Sequence, residues 1–176
     1  MIGKKMEAAI NEQIREETFS AYLYWQMSTW FDSVNLSGFA NYMRVQAQEE
    51  MVHALKFAGF LIDRGGKVSL KALEAPKNSW PSALAAFKDA YNHECHITGC
   101  INNLMALARK ENDNAAILLL DWFVTEQVEE EKNADEKVKT LSLIGDNGHG
   151  LLMLDREAGA RVFTPPTAGA AAGAAA

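Results

Sequence analysis

Carboxylate and imidazole side chains interrupt helical stripes that are otherwise apolar. Glu17 interrupts the first stripe, Glu50 and His53 the second, and Glu94 the third. The Glu50-x-x-His53 spacing puts an oxygen and a nitrogen ligand on one helical face, as in the di-iron carboxylate bundles. One imidazole among several oxygen ligands suits iron or manganese better than a metal that prefers thiolates. These residues therefore predict a metal centre.

A fourth stripe carries the remaining candidates. Gln127 interrupts it, and Glu130 follows three residues later, but Glu131 is also near the stripe and periodicity alone does not choose between the two acids. With either acid, four carboxylates would share one core, where they cannot all stay ionised without a counter-charge. No Lys or Arg lies at that level on any stripe. Two divalent cations would balance the four negative charges.

Four long stretches with apolar residues at alternating steps of three and four must position these ligands. The predicted helices run from about Lys5 to Ser33, from Ser37 as N-cap to Gly65, from near Pro81 to about Lys110, and from Asp113 or Asn114 to before Gly145. Each acid lies within about two residues, or ~3 Å, of its helix midpoint. A midpoint does not depend on chain direction, so we expect the acids to meet at one level.

The connections predict the topology. Residues 35–37 and 110–114 are short links between antiparallel neighbours, whereas the 16-residue link from Gly65 to Trp80 is long enough to cross the bundle lengthwise. We predict an all-α four-helix bundle with one long crossover over residues 1–145. A short fifth helix from about His149 to Arg161 is predicted within residues 146–163. The Ala- and Gly-rich residues 164–176 are predicted to form a disordered tail.

Composition excludes several classes of function. The 176 residues carry a net charge of −6, which argues against nucleic-acid binding because that needs a basic face. No apolar run reaches the ~18 residues of a membrane span, and the N-terminus lacks the apolar core of a signal peptide. Cys95 and Cys100 fall on different helical faces, so a disulfide is not expected. We predict a cytoplasmic protein that binds neither nucleic acid nor membrane.

The sequence pattern also predicts which aromatic residues and which of the other histidines are buried or exposed. Tyr24 lies two turns from Glu17 on the same stripe, where it is either a packing residue or a redox-active or hydrogen-bonding phenol beside the metals. Residues predicted at the surface are His93, His96 and His149. Residues predicted to pack inside are Trp25, Trp30 and Trp122.

Four segments resemble the prokaryotic non-haem ferritins, namely NEQIREETFSAYLYWQMS, QAQEEMVHA, YNHE and VTEQVEEEK. The resemblance covers roughly residues 1–163. It implies a ferritin-like bundle and a homo-oligomeric cage, a 24-mer, in which the fifth helix forms contacts around the four-fold axes. It also implies that ferrous iron is oxidised by dioxygen or hydrogen peroxide at an intrasubunit di-iron site and stored as a ferric mineral.

The resemblance assigns the candidate residues by position. The first iron would be held by Glu17, Glu50 and His53. Glu50 would bridge to a second iron, whose other ligands would be Glu94 and Glu130, with Gln127 close by. The resemblance thus selects Glu130 over Glu131. A third, transit-type iron site would use Glu49, Glu126 and Glu129. Tyr24 matches the tyrosine beside the centre.

Three alternatives stay open at this stage. A haem-containing bacterioferritin would carry a second Glu-x-x-His, whereas the fourth helix offers Gln127-x-x-Glu130, although Met51 stands at the position of the haem-ligating methionine. A cage-free di-iron oxidase or peroxidase often adds a module with four cysteine ligands, which two cysteines cannot supply. An assembly with purely structural acids would oxidise no iron.

Overall fold

The computed structural model describes residues 1–164, which form five α-helices and no strand. In chain order the helices are α1 (Lys4–Ser33), α2 (Ser37–Asp63), α3 (Ala83–Lys110), α4 (Asn114–Ile144) and α5 (Gly148–Ala158). Helix α1 packs against α2, and α3 packs against α4, as their short connections require. The predicted all-α bundle with one long crossover and a short fifth helix is confirmed. All but the first residue of the predicted tail lies outside the described residues.

The crossover between α2 and α3 runs along α1. Near one end of α1, the Asn11 side-chain amide donates to the Lys67 carbonyl at 2.9 Å and its oxygen accepts from the Ser69 N–H at 2.6 Å. Near the other end, the rings of Trp30 and Trp80 lie 5.3 Å apart. The crossover therefore spans the length of the bundle without secondary structure of its own. Helix α3 begins beside the C-terminal end of α1 and runs antiparallel to it.

The apolar core is divided into two clusters. One cluster surrounds Phe31, Phe39 and Phe87, whose rings pack at centroid distances of 5.2 to 5.6 Å. The other surrounds Phe57 and Phe123, whose rings stack at 4.0 Å. Six buried polar residues that were candidate ligands belong to neither cluster, namely Glu17, Glu50, His53, Glu94, Gln127 and Glu130. Helical spacing along each chain segment places them between the two, near the middle of the bundle.

The predicted N-cap of α2 is wrong. Ser37 is the first helical residue, Leu36 is the N-cap, and no side chain of the adjacent sequence caps this end. Asp155 of α5 does so instead, because its Oδ1 accepts the Phe39 N–H at 2.8 Å. Helix α5 ends at Ala158, short of the predicted end at Arg161, because the next two residues form a turn. After this turn the Arg161 carbonyl accepts from the Asn41 side chain of α2 at 2.8 Å.

Two other sequence predictions need correction. The spacing of apolar residues on α4 predicts Val124 on the buried stripe, but it is 37% exposed, and the buried residues of this helix include Phe123 and Glu130 instead. Trp25 is not a packing residue, because 61% of it is exposed, and with Met51 it lines a groove between α1 and α2.

Among residues 1–164, no helix combines the length and apolar character needed to span a membrane.

The contact between α2 and α5 predicts an unusual glycine requirement. A Cβ on Gly38 would lie 1.6 Å from the Asp155 carbonyl oxygen, so Gly38→Ala must push α5 away or distort α2. We expect a loss of about 1–3 kcal/mol in the free energy of unfolding, the usual cost of overpacking. Gly99→Ala in α3 is the matched control, because nothing lies within 4 Å of its added methyl group. Denaturant titration that shows equal stability for the two variants would contradict this close approach.

Candidate metal centre

The first group of candidate ligands converges between α1 and α2. One ligand atom each from Glu17, Glu50 and His53 lies within 4.8 Å of the others. The His53 Nδ1 atom is 3.3 Å from Glu50 Oε2 and 3.9 Å from Glu17 Oε2. Glu50 is the central residue of α2, and His53 follows one turn later, so the helix itself holds this pair on one face. All three side chains are buried.

Two carboxylate oxygens of this group have no hydrogen-bond partner. They are Glu17 Oε2 and Glu50 Oε1, and both are fully buried. An unpartnered buried oxygen is costly, because it has lost its hydration without gaining a protein donor. A divalent cation between the two side chains would give both oxygens a partner. The donor set of carboxylates with one imidazole fits iron by its chemistry.

The second group lies on α3 and α4 and is hydrogen-bonded to α1. The Tyr24 hydroxyl donates to Glu94 Oε1, and Gln127 Nε2 lies 3.3 Å from Glu94 Oε2. Both Glu94 oxygens therefore have hydrogen-bond donors. Tyr24 is 1% exposed, so the phenol is a buried hydrogen-bonding partner of this carboxylate.

Glu130 is the buried acid of α4, whereas Glu131 is only half-buried. Gln46 of α2 donates to Glu130 Oε2 at 3.0 Å. Glu130 lines the same small cavity as Glu94, and its negative charge raises the pKa of both Glu50 and Glu94. Burial and neighbouring charge therefore single out Glu130 from the run of acids on this helix.

The carboxyl groups of the candidate centre raise one another's pKa through burial and like charge. Burial and the Glu50 charge together raise the pKa of Glu17 to about 8. Burial and the Glu130 charge raise the pKa of Glu94 to about 8. The pKa of Glu50 lies well above its usual range because of burial and the charges of Glu94 and Glu130. Glu50 is thus the residue that faces both groups, and the metal-free centre holds protons at neutral pH.

Aromatic side chains fix the ring of His53. Trp122 and Phe123 contact it edge-on, at centroid distances of 5.5 and 5.7 Å. The Lys56 ammonium lies 3.1 Å from the centre of the Trp122 ring and holds that ring from its other side. Trp122 is therefore a packing residue, as predicted, and its packing orients a candidate ligand.

The remaining predicted acids form a half-exposed group next to the centre. Glu49 and Glu126 are partly buried, Glu129 is exposed, and burial raises the pKa of both Glu49 and Glu126. Arg161 from the segment after α5 pairs with Glu49 at 2.6 Å. The same guanidinium donates to Gln46 Oε1 and lies 4.3 Å from the centre of the Tyr42 ring. Arg161 therefore connects the Glu49 group to Glu130 through Gln46.

Three side chains around the centre were missed in the sequence. Gln13, whose Nε2 donates to Glu17 Oε1 at 2.8 Å, and Gln46 each precede a candidate ligand by four residues. That spacing puts them on the same helical faces and was a usable signal. Arg161 gave no such signal, because it reaches α2 from a segment 115 residues further along the chain.

His93 is a further correction, because it is not a surface residue. Its Nε2 lies 2.8 Å from Ser20 Oγ, and its ring packs edge-on against Tyr24 at 5.9 Å. Burial lowers the pKa of His93 to about 4, so the ring is neutral at physiological pH. It supports the phenol that donates to Glu94. His96 and His149 are exposed, as predicted.

Comparisons with known proteins identify the family of this chain. The ferritin-like domain family matches residues 7–144. A bacterial non-heme ferritin of Staphylococcus aureus is 37% identical over 163 residues, which is 93% of this chain and 98% of that protein. A homologue of the same name from Staphylococcus epidermidis is 39% identical with the same coverage.

Solved structures of archaeal ferritins have the same fold. An open pore ferritin of the hyperthermophile Archaeoglobus fulgidus is 48% identical, with a TM-score of 0.91 over 92% of this chain and 100% of that one. A humanized archaeal ferritin is 47% identical, with a TM-score of 0.93 over 94% of this chain and 100% of that one. With a family match over most of its length and relatives covered almost end to end, this chain belongs to the ferritin family, on its prokaryotic non-haem branch.

Proposed function

We propose that this chain is an iron-storage ferritin whose subunits oxidise ferrous iron. The observation that carries the proposal is the convergence of Glu17, Glu50 and His53, with two buried carboxylate oxygens that lack any partner. A protein core tolerates such oxygens where a cation completes them. Non-haem ferritin relatives support iron as that cation.

In this proposal two ferrous ions bind as substrates. The first takes Glu17, Glu50 and His53, and the second takes Glu50, Glu94 and Glu130, with Gln127 beside it. Glu50 would bridge the two ions, as the family resemblance implies. Its place beside Glu17 and His53, and the effect of the Glu94 and Glu130 charges on its pKa, support this role. Each ion passes one electron to dioxygen or hydrogen peroxide. Tyr24 holds Glu94 in place by donating to one of its oxygens.

The oxidised iron then needs a way out of the centre. Glu49, Glu126 and Glu129 form a third site in this proposal, adjacent to Glu130 and more exposed than the first two. Arg161 occupies Glu49 before iron arrives. A ferric ion at the third site therefore has to displace a guanidinium, which makes occupancy of this site transient.

Storage requires many copies of the chain around a cavity. Helix α5 leaves Leu152 and Met153 exposed, at 52% and 61%. The groove beside Trp25 and Met51 is also apolar. Such surfaces are typical of contacts between subunits. They support assembly into a cytoplasmic cage, a 24-mer as in the family, with a ferric oxyhydroxide mineral inside it.

Adding ferrous iron in air and then sizing the particle tests the function as a whole. Ferric absorbance together with a large particle that contains a mineral core is the expected result. Oxidation by a small particle would support the cage-free oxidase or peroxidase instead. Absence of oxidation would leave the buried acids with a structural role only. Haem at Met51 is tested separately by the visible spectrum of the purified protein.

Neighbouring acids on α4 offer a matched test of the second iron position. Glu130→Gln removes a buried charge beside Glu50 and Glu94, so we expect one tightly bound cation per chain instead of two, and an oxidation rate lowered by about a hundredfold, the scale of a lost positioned group. Glu131→Gln removes the same charge from a half-buried position and is expected to change neither value. Anaerobic metal titration and stopped-flow oxidation measure both quantities. Equal behaviour of the two variants would contradict the assignment of Glu130.

The raised pKa values predict an unusual pH dependence for the metal-free protein. Glu17 and Glu94 have pKa values of about 8 when folded and about 4.5 when unfolded, so the folded state holds more protons between these limits. The free energy of unfolding should therefore be highest below about pH 4.5, as far as these groups contribute, and should fall as pH rises through about 8. Divalent cations displace the protons, so their affinity should rise over the same window.

Glu17→Gln isolates this contribution. The amide cannot titrate, so the unfolding free energy of this variant should fall less between the two ends of the window than that of the parent chain. Glu131→Gln controls for a general change of charge. Denaturant unfolding of the metal-free proteins provides the comparison, and an identical fall in all three would show that Glu17 is ionised in the folded state.

Arg161 predicts how strongly the third site holds a cation. In Arg161→Gln, Glu49 loses its guanidinium partner, so we expect the third divalent cation to bind about tenfold more tightly, a typical value for one charge-assisted contact. Arg156→Gln on the exposed face of α5 removes an equal charge elsewhere. Calorimetric titration distinguishes the third binding step. Unchanged third-step affinity in Arg161→Gln would show that the ion pair does not compete with metal.

A further inference from the structure

A second group of metal-ligating atoms lies between α1 and α3, apart from the buried centre. Glu16 contributes Oε2, His96 contributes Nε2 and Cys100 contributes Sγ, and these atoms lie within 4.8 Å of one another. We propose that this outer cluster of Glu16, His96 and Cys100 is a zinc site, a binding function beyond iron oxidation and storage. The donor set differs from the centre, since it includes a sulfur atom.

Distances within the outer cluster match those around a tetrahedral zinc ion. His96 Nε2 is 3.3 Å from Glu16 Oε2 and 3.6 Å from Cys100 Sγ. Bond lengths of about 2.0–2.3 Å in a tetrahedron separate nitrogen from oxygen by about 3.4 Å and nitrogen from sulfur by about 3.6 Å. His96 and Cys100 are one turn apart on α3, so the helix fixes their spacing. Both distances from the imidazole nitrogen therefore already match a zinc site, and the oxygen and sulfur atoms lie within 4.8 Å of each other.

Neighbouring side chains leave the cluster ready for a cation. Arg15 pairs with Oε1 of Glu16, which directs Oε2 toward His96. The Glu16 side chain is only 13% exposed, whereas that of His96 is 56% exposed. A bound ion would therefore have three ligands held by the protein and a fourth position open to water, a common arrangement for zinc.

The chemistry of Cys100 favours a metal ligand over a nucleophile. Burial, together with the nearby charge of Glu16, raises the pKa of this thiol to about 11, so it is protonated in the absence of a cation. A divalent cation supplies the positive charge that holds a thiolate. Thiolate and imidazole donors bind zinc and cobalt more tightly than ferrous iron. The outer cluster is thus selective against the iron that the centre takes as substrate.

Cobalt(II) provides a direct test, because a thiolate bound to cobalt gives a near-ultraviolet charge-transfer band that oxygen and nitrogen ligands do not give. The metal-free assembled protein is titrated with cobalt(II). We expect the band to develop with one cobalt per chain at the outer cluster and to disappear when zinc is added. Cys100→Ser and His96→Ala should lose the band. Cys95→Ser removes the other, exposed thiol and should keep it.

Each outcome bears on the proposal. Absence of the band in the parent chain, or its persistence in Cys100→Ser with loss in Cys95→Ser, overturns it. Far-ultraviolet circular dichroism and the elution volume of each variant show whether the fold and assembly are intact. The readout does not depend on the iron centre, which contains no sulfur ligand among its candidate residues. A protein that fails to oxidise iron can still show the band, and the two proposals therefore fail separately.

Discussion

Carboxylates that are buried midway along four helices set the main constraint on this molecule. Each of them loses its hydration, and each raises the cost of ionising the others. Tyr24, Gln13, Gln46 and Gln127 supply donors to some of the oxygens, yet Glu17 and Glu50 retain one unpartnered oxygen each. These remaining oxygens can be satisfied only by bound protons or cations.

Apolar clusters on both sides of the buried carboxylates stabilise the bundle against the cost of burying them. The clusters of Phe31 and Phe57 lie at opposite ends of the bundle, and each is contributed by several helices. Burial of these side chains offsets the cost of the buried acids, since a fully buried large apolar residue contributes about 1.5–3 kcal/mol. The acids thus occupy the level where the helices are held from both ends. Rigid packing there keeps the ligands in place before any cation arrives.

Sequence patterns predicted what depends on local spacing. Helix bounds, the crossover and the common height of Glu17, Glu50 and Glu94 follow from periodicity and length, and Gln13 and Gln46 were readable from the same spacing. Patterns failed where a distant segment decides. Asp155 caps α2 in place of Ser37, and Arg161 reaches Glu49, through contacts over more than 100 residues. Steps of three and four residues can be taken in either order along a helix, so periodicity did not separate Glu130 from Glu131, and Val124 was chosen where Phe123 is buried.

The two halves of the proposed centre differ in their ligands and in the residues around them. Trp122, Phe123 and Gln13 hold the half that contains His53, through ring packing and a hydrogen bond to Glu17. The half that contains Glu130 is connected through Gln46 to Arg161, and from there to Glu49 at the edge of the bundle. In the proposed function this half offers iron only oxygen ligands and a neutral amide, so we expect it to hold iron less tightly than the half with the imidazole. In the proposed function the more weakly held ion is therefore the one nearest Glu49. Oxidised iron leaves the centre toward Glu49, where it has to displace Arg161.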